Sequence, residues 1–242
     1  MKSCSIINDD YEMKFWTDAT MREFIKNNFD WALENYDAYP YGIQRVDAFR
    51  YFVLYYYGGY ANCLDLIIIY SAYIDLDIGC KKKFDPLLKY EVILPLTKPF
   101  GVSNDFMMAS PKHPFMLELI NSLPKYNHYY GTKYPTVMVS TGPLFLTIRA
   151  ALFEKRSEIS YLTDNLYNGG YESFVYHVHG SSWHGSDAFF VFLLYNNLSL
   201  VISCLVVLCA IFLIVVCLFC AIYKLRRVQT VLPTSFDRQK NS

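Results

Sequence analysis

Tyr73-Ile74-Asp75-Leu76-Asp77 is an apolar run that ends in two carboxylates one residue apart, and its reading decides the fold. Read as a strand, residues i and i+2 share a face, so Asp75 and Asp77 point the same way. Like charges so placed repel unless a cation lies between them or water solvates both. Carboxylate oxygens suit hard cations such as Mg²⁺ and Mn²⁺, which also bridge diphosphate oxygens. The pair therefore reads as a metal and nucleotide-diphosphate site at the end of a core strand. Asp-x-Asp alone is a weak signal that also arises in solvated turns, and the apolar run leading into it is what raises its weight.

Working outward, Gln44 to Tyr57 is spaced for a helix, with Val46, Phe49, Val53 and Tyr57 on one face and Gly58-Gly59 as the stop. Asp47 and Arg50 are three apart on it and so are neighbours. They read either as an intrahelical ion pair or as a sugar-hydroxyl contact and a fork-shaped grip on diphosphate or sugar oxygens. Asp18 to Trp31 predicts an earlier helix capped by Thr17 or Asp18. Leu64 to Tyr70 and Tyr73 to Leu76 are strand-like. Asp85-Pro86-Leu87-Leu88 starts a short helical turn, His113 to Leu123 reads as a helix, and Thr141-Gly142-Pro143 breaks the chain before another near Leu144 to Phe153. Helices alternating with short apolar strands indicate an α/β fold.

The 242 residues allow one sizeable domain plus an appendage, and a formal net charge of zero gives no electrostatic reason to expect a nucleic-acid partner. The 22 tyrosines favour sugar stacking or membrane interfaces, though tyrosine also fills cores. No Gly-rich phosphate loop, nucleophile elbow or Cys/His zinc spacing occurs. Cys204, Cys209, Cys217 and Cys220 lie in one apolar segment as small hydrophobes. That leaves Cys4, Cys63 and Cys80, enough for one disulfide but not a framework.

From Ala188 to Tyr223 there is no charged residue, and residues 198–223 are long and uniform enough for a transmembrane helix. Lys224, Arg226 and Arg227 follow it, so residues 224–242 are expected to be a cytosolic basic tail and residues 1–190 a lumenal domain. The polar residues 1–10 are no signal sequence, and a missing N-terminal portion is expected.

Several ordered motifs carry a resemblance. Arg45-Val46-Asp47-Ala48-Phe49-Arg50-Tyr51, Gly58-Gly59 and Tyr73-Ile74-Asp75-Leu76-Asp77-Ile78-Gly79-Cys80 resemble the sugar-binding region of DXD glycosyltransferases with the GT-A fold. Gly101-Val102-Ser103-Asn104-Asp105, His113-Pro114-Phe115, Ser140-Thr141-Gly142-Pro143 and Gly180-Ser181-Ser182-Trp183-His184 follow in order. Together, over about residues 10–190, the chain resembles the fungal inositol phosphorylceramide mannosyltransferases of glycosyltransferase family 32.

The resemblance implies a GT-A-like fold and transfer of mannose from GDP-mannose, with retention, to inositol phosphorylceramide, aided by Mn²⁺. It implies that Asp75 and Asp77 hold the metal and diphosphate, with Asp77 the more direct ligand, and that Arg45, Asp47 and Arg50 contact the donor. Asp47, Arg50 and Asp77 become the catalytic candidates. Ser182 and Trp183 fall in a loop that closes over metal and diphosphate, with Trp183 as a packing aromatic the alternative. Asn104, Asp105 and His184 fall where an acceptor contact is expected, with a simple turn the alternative for Asn104-Asp105. Membrane lipid is an expected partner, and a regulatory membrane subunit is a candidate partner of the span. A Golgi location fits the family.

The pattern breaks in two places. Residues 60–72 stand where one residue is expected, an insertion of twelve (about 61–72) that an unspliced in-frame intron would produce; a transcript that always carries these codons would reject that origin. The chain also starts inside the pattern, so a strand that helps hold the nucleotide is expected to be missing, leaving an open sheet edge. Two rivals follow: a related transferase extending N-glycans, disfavoured by the C-terminal position of the anchor, and a catalytically inactive tethered homologue.

Overall fold

The structure, a computed structural model, describes residues 2–58, 71–98, 100–178 and 185–231. Its helices are α1 (Lys2–Ile7), α2 (Asp18–Asn28), α3 (Leu33–Asp37), α4 (Gly42–Tyr57), α5 (Pro114–Tyr126), α6 (Lys133–Ser140), α7 (Pro143–Leu152), α8 (Asp164–Tyr167), α9 (Ser186–Asn196) and α10 (Leu198–Val231). Its strands are β1 (Ser71–Ile74), β2 (Ile78–Cys80), β3 (Val92–Pro95), β4 (Phe106–Ala109), β5 (Ile159–Leu162) and β6 (Val175–His177). Two compact units divide the chain at Asp187 and Ala188.

In the first unit a four-stranded mixed sheet runs in the order β1-β4-β3-β5. β4 is antiparallel to both β1 and β3, whereas β3 and β5 are parallel. Val-Ile-Leu-Pro and Phe-Met-Met-Ala, the sequences of β3 and β4, are buried throughout because both sheet faces are covered. Successive side chains serve opposite layers. Val92, Leu94, Met107 and Ala109 join the core under α4, α5 and α7, while Ile93, Phe106 and Met108 join a second core with β2, β6 and α8. This mixed helix and strand architecture is consistent with the GT-A-like expectation.

α4 is the central helix. Every residue from Asp47 to Leu54 is buried, so it presents apolar or paired groups all round instead of the single face its spacing suggested. Trp16 closes one end of this core, with its ring 5.0 Å from Phe49 and 5.2 Å from Phe24. The expected helix over Asp18 to Trp31 is broken at Phe29, whose φ of −145° is not helical, and resumes as a 3₁₀ turn at Asp30–Ala32. α6 was not anticipated, because Pro135 and the β-branched Thr136, Val137 and Val139 argue against a helix; Pro135 falls in its first turn, where a missing N–H costs nothing.

The strand premise for the acidic pair needs correction. β1 ends at Ile74, Leu76 and Asp77 form a turn, and β2 begins at Ile78. The Asp75 N–H still bonds the Asp105 carbonyl at 2.8 Å in the register of the β1–β4 ladder, but its own carbonyl accepts from the Ile78 N–H at 3.0 Å, which turns the chain out of the strand. Asp75 and Asp77 therefore flank a turn and do not share a strand face. The expected strand at Leu64 to Tyr70 and most of the insertion lie outside the described residues.

Of the three cysteines outside the apolar segment, Cys4 and Cys80 are disulfide-bonded. Linking residues 76 apart removes loop-closure entropy worth about 4.5 kcal/mol in the chain-entropy view. The second unit contains α10, in which Leu198–Lys224 supplies 27 residues long and apolar enough to cross a membrane. Lys133–Leu152 is long enough but much less apolar, with a mean hydropathy of 1.2 against 3.5, and it is two helices broken at Thr141-Gly142 with Val137, Phe145 and Leu146 buried in the domain core.

Candidate active site

The site is built where α4, the turn after β1 and the start of β4 meet. Asp47 and Arg50 lie one turn apart on α4, both about 3% exposed. Arg50 Nη2 is 3.2 Å from Asp47 Oδ1 and 3.1 Å from Asp75 Oδ2, while Nη1 donates to the Asn104 carbonyl at 2.8 Å. The guanidinium also lies over the Tyr73 ring, 5.1 Å from its centroid. One arginine thus ties the central helix to the acidic turn and to the loop before β4. Its Nε, though buried, has no hydrogen-bond partner among the described residues.

Asp47 is further held by the Asn104 amide at 3.0 Å and the Thr141 hydroxyl at 3.4 Å. Gly142 permits this approach: a Cβ there would stand 2.9 Å from the Val137 carbonyl and 3.3 Å from Asp47 Oδ2. Tyr51 donates to the Thr141 carbonyl at 2.7 Å and fixes the same loop. Asp105 receives the Tyr167 hydroxyl at 2.6 Å, and His177 Nδ1 lies 3.6 Å away. The Tyr167 and His177 rings meet edge to face at 4.9 Å.

The electrostatics follow from burial. Desolvation raises the Asp75 carboxyl to about 6, with the Asp105 and Asp47 charges pushing the same way and Arg50 opposing. Desolvation likewise raises Asp47 against the pull of Arg50, Asn104 and Thr141. Burial works against the Arg50 charge, yet Tyr73, Asp75 and Asp47 around it hold its pKa well above the usual arginine value. Two carboxylates, Asp47 and Asp75, share one arginine, which leaves the cluster short of positive charge.

Of the residues singled out in the sequence, Asp47, Arg50, Asp75 and Asn104 form one network, and Asp105 adjoins it through its backbone carbonyl. Asp77 sits half-buried in the turn, its carbonyl accepting from the Val178 N–H at 2.7 Å. Arg45 is not brought into the cluster. It is about 200° round the helix from Asp47, and its Nη1 donates to the Tyr39 carbonyl at 2.6 Å. Ser182, Trp183 and His184 lie outside the described residues. Tyr167 and His177 were missed, since nothing in their spacing ties them to residues 47–105; Thr141 was quoted as a helix break and within the Ser140–Pro143 motif, with no role assigned.

The donor set fits a hard divalent cation. It is all oxygen, and added positive charge at Asp75 would favour the ionised carboxylate that burial, and secondarily the neighbouring acids, disfavour. No three His, Cys, Asp or Glu side chains among the described residues converge as a ready-made metal site. That suits an ion carried by one or two carboxylates together with substrate phosphates.

Residues 1–94 match the family described as a glycosyltransferase sugar-binding region containing a DXD motif. The chain is 46% identical over 181 residues to inositol phosphoceramide mannosyltransferase 1 of Schizosaccharomyces pombe, covering 74% of this chain and 53% of that protein. It is 39% identical over 210 residues to mannosyl phosphorylinositol ceramide synthase SUR1 of Saccharomyces cerevisiae, covering 85% and 51%. A more distant match, 29% identical over 118 residues, is an uncharacterized glycosyltransferase of Acanthamoeba polyphaga mimivirus, covering 47% and 42%. The chain spans about half the length of the fungal relatives it matches.

Proposed function

We propose that the chain transfers mannose from GDP-mannose to inositol phosphorylceramide, because residues 1–94 match a DXD-type glycosyltransferase sugar-binding region and the chain is similar to fungal inositol phosphoceramide mannosyltransferases. The observation that carries this reading is Arg50, a fully buried arginine between Asp47 and Asp75 with one N–H left unpartnered. A buried donor without an acceptor is costly unless a ligand supplies one, and the donor sugar and its diphosphate are rich in acceptor oxygens.

In this reading Asp47 accepts a hydrogen bond from a sugar hydroxyl, oriented by Asn104 and Thr141. Arg50 donates to sugar or diphosphate oxygens from a position fixed before substrate arrives, so no reorganisation is needed as charge develops on the leaving GDP. Asp75 and Asp77 hold a divalent cation, Mn²⁺, which supplies Lewis-acid neutralisation of the diphosphate. Asp105, oriented by Tyr167, contacts the acceptor. α10 anchors the chain by a single C-terminal span, holding the site near a lipid head group and raising its effective concentration. The lumenal orientation of the domain and a Golgi location complete the proposal, with the basic residues after the span as its support.

The test is GDP release and lipid mannosylation by the full chain in detergent, with Mn²⁺ and GDP-mannose. Asp77→Ala is expected to lose about a hundredfold or more of the rate, the size of other lost transition-state charge contacts. Equal rates for the two proteins would favour the inactive tethered homologue. Mannosylated N-glycans with unchanged lipids would instead favour the N-glycan transferase.

A further inference from the structure

We propose that the N-terminal segment is a covalent clamp that positions the acidic turn, and that donor-site affinity depends on the Cys4–Cys80 disulfide being closed. The inference rests on the donor-site reading above.

The acidic turn opens directly into β2, whose only ladder partner among the described residues is β6. Each strand has three residues, and a two-stranded ladder of that size is not stable by itself. Yet both strands touch the site. Ile78 follows Asp77 and bonds back to the Asp75 carbonyl, while His177, paired with Ile78, stands beside Asp105. Whatever holds this ladder in place therefore sets where Asp77 and His177 stand.

The N-terminal segment supplies that hold at both ends of the stretch leaving β2. At Cys80 the disulfide to Cys4 is reinforced by the Cys80 N–H donating to the Ser3 hydroxyl at 3.0 Å. Four residues on, the Phe84 N–H donates to the buried Asn8 side-chain oxygen at 2.9 Å. Between them, Lys83 reaches the Asp9 and Asp10 carboxylates at 3.2 and 3.1 Å. Of these ties only the disulfide is covalent and reversible. Attack by a dithiol breaks the S–S bond, leaving two cysteine thiols and the dithiol oxidised to its cyclic disulfide. α1 is then joined to β2 by weak contacts alone.

The test uses the full chain in detergent, oxidised, reduced with dithiothreitol, and as the Cys4→Ser/Cys80→Ser variant. Two readouts are taken: Mn²⁺ binding in the presence of GDP by calorimetry, and amide hydrogen exchange. Reduction and the double variant are both expected to weaken Mn²⁺ by roughly 10–100-fold, as loss of a ligand's supporting shell does. Faster exchange is expected at residues 78–80 and 175–177, with the β3–β4 ladder unchanged, and reoxidation should restore the affinity. A structural disulfide of no positioning value would leave affinity and local exchange unchanged, and that result overturns the clamp. If the double variant unfolds, reduction and reoxidation of the wild type decides. If oxidised wild type binds no Mn²⁺ and GDP, the donor reading fails, and the exchange pattern alone judges the clamp.

Discussion

Arg50→Met removes the cation that, among the described residues, faces both Asp47 and Asp75, while keeping most of the side-chain volume. Two close contacts, 3.2 and 3.1 Å, and the bond to the Asn104 carbonyl disappear together. Because Asp47 is nearly inaccessible to water, its orphaned carboxylate cannot be rehydrated without opening the core, whereas the partly exposed Asp75 can gain some hydration. Breaking a buried pair from one side costs about 3–5 kcal/mol. Part of that cost is evaded by protonation, since Asp75 already titrates near 6 and loses its main opposing charge. For a unit the size of Met1–Asp187, each kcal/mol moves the midpoint by about 2–4 °C, so a fall of about 6–20 °C is expected. Thermal unfolding of the full chain in detergent, at low and at 0.5 M salt, measures it. A buried network predicts the same fall at both salts. Arg22→Met, which breaks the exposed Arg22–Asp37 pair, should leave the midpoint nearly unmoved. The reasoning fails if Arg50→Met melts with wild type, or if its deficit tracks that of Arg22→Met.

Tyr167→Phe removes the hydroxyl whose one hydrogen is shared between the two Asp105 carboxylate oxygens and is expected to cost about 1–3 kcal/mol in denaturant melts, the penalty of an undersatisfied charged acceptor. Gly142→Ala places a methyl 2.9 Å from the Val137 carbonyl and 3.2 Å from the Met138 Cα, both backbone atoms. It should destabilise by about 1–3 kcal/mol, and raise the donor KM by displacing Asp47. Acidification should weaken the fold through His113, whose pKa is lowered by burial despite the Glu158 carboxylate 3.2 Å away. A group with a depressed folded pKa contributes stability above its unfolded value near 6.5, lost as pH falls through the folded one. Melts from pH 7 to pH 5 should therefore lose less stability in His113→Asn, where asparagine can still cap α5.

The helix Gly42–Tyr57 was legible because Gly58-Gly59 ends an apolar run of helical spacing, and Asp47 with Arg50 followed from it. The long apolar helix Leu198–Lys224 was legible from length and lack of charge. What sequence could not give was the fate of Asp75. A two-residue period places Asp75 and Asp77 on one face only while the strand lasts, and the turn closed by the Ile78 N–H on the Asp75 carbonyl ends it after Ile74. Tyr167 and His177 reach the site through α8 and β6, elements too short for periodicity to reveal. α6 was hidden by residues that disfavour helices locally but pack well once α4 and α7 are in place.

The cystine joining Cys4 to Cys80 also has a consequence for how the molecule is made. Such bonds are formed and retained in oxidising compartments, and a bacterial cytosol keeps the same residues as thiols. Material produced there would fold without its longest-range covalent tie and would share every residue, but not the same stability, with material matured along a secretory route.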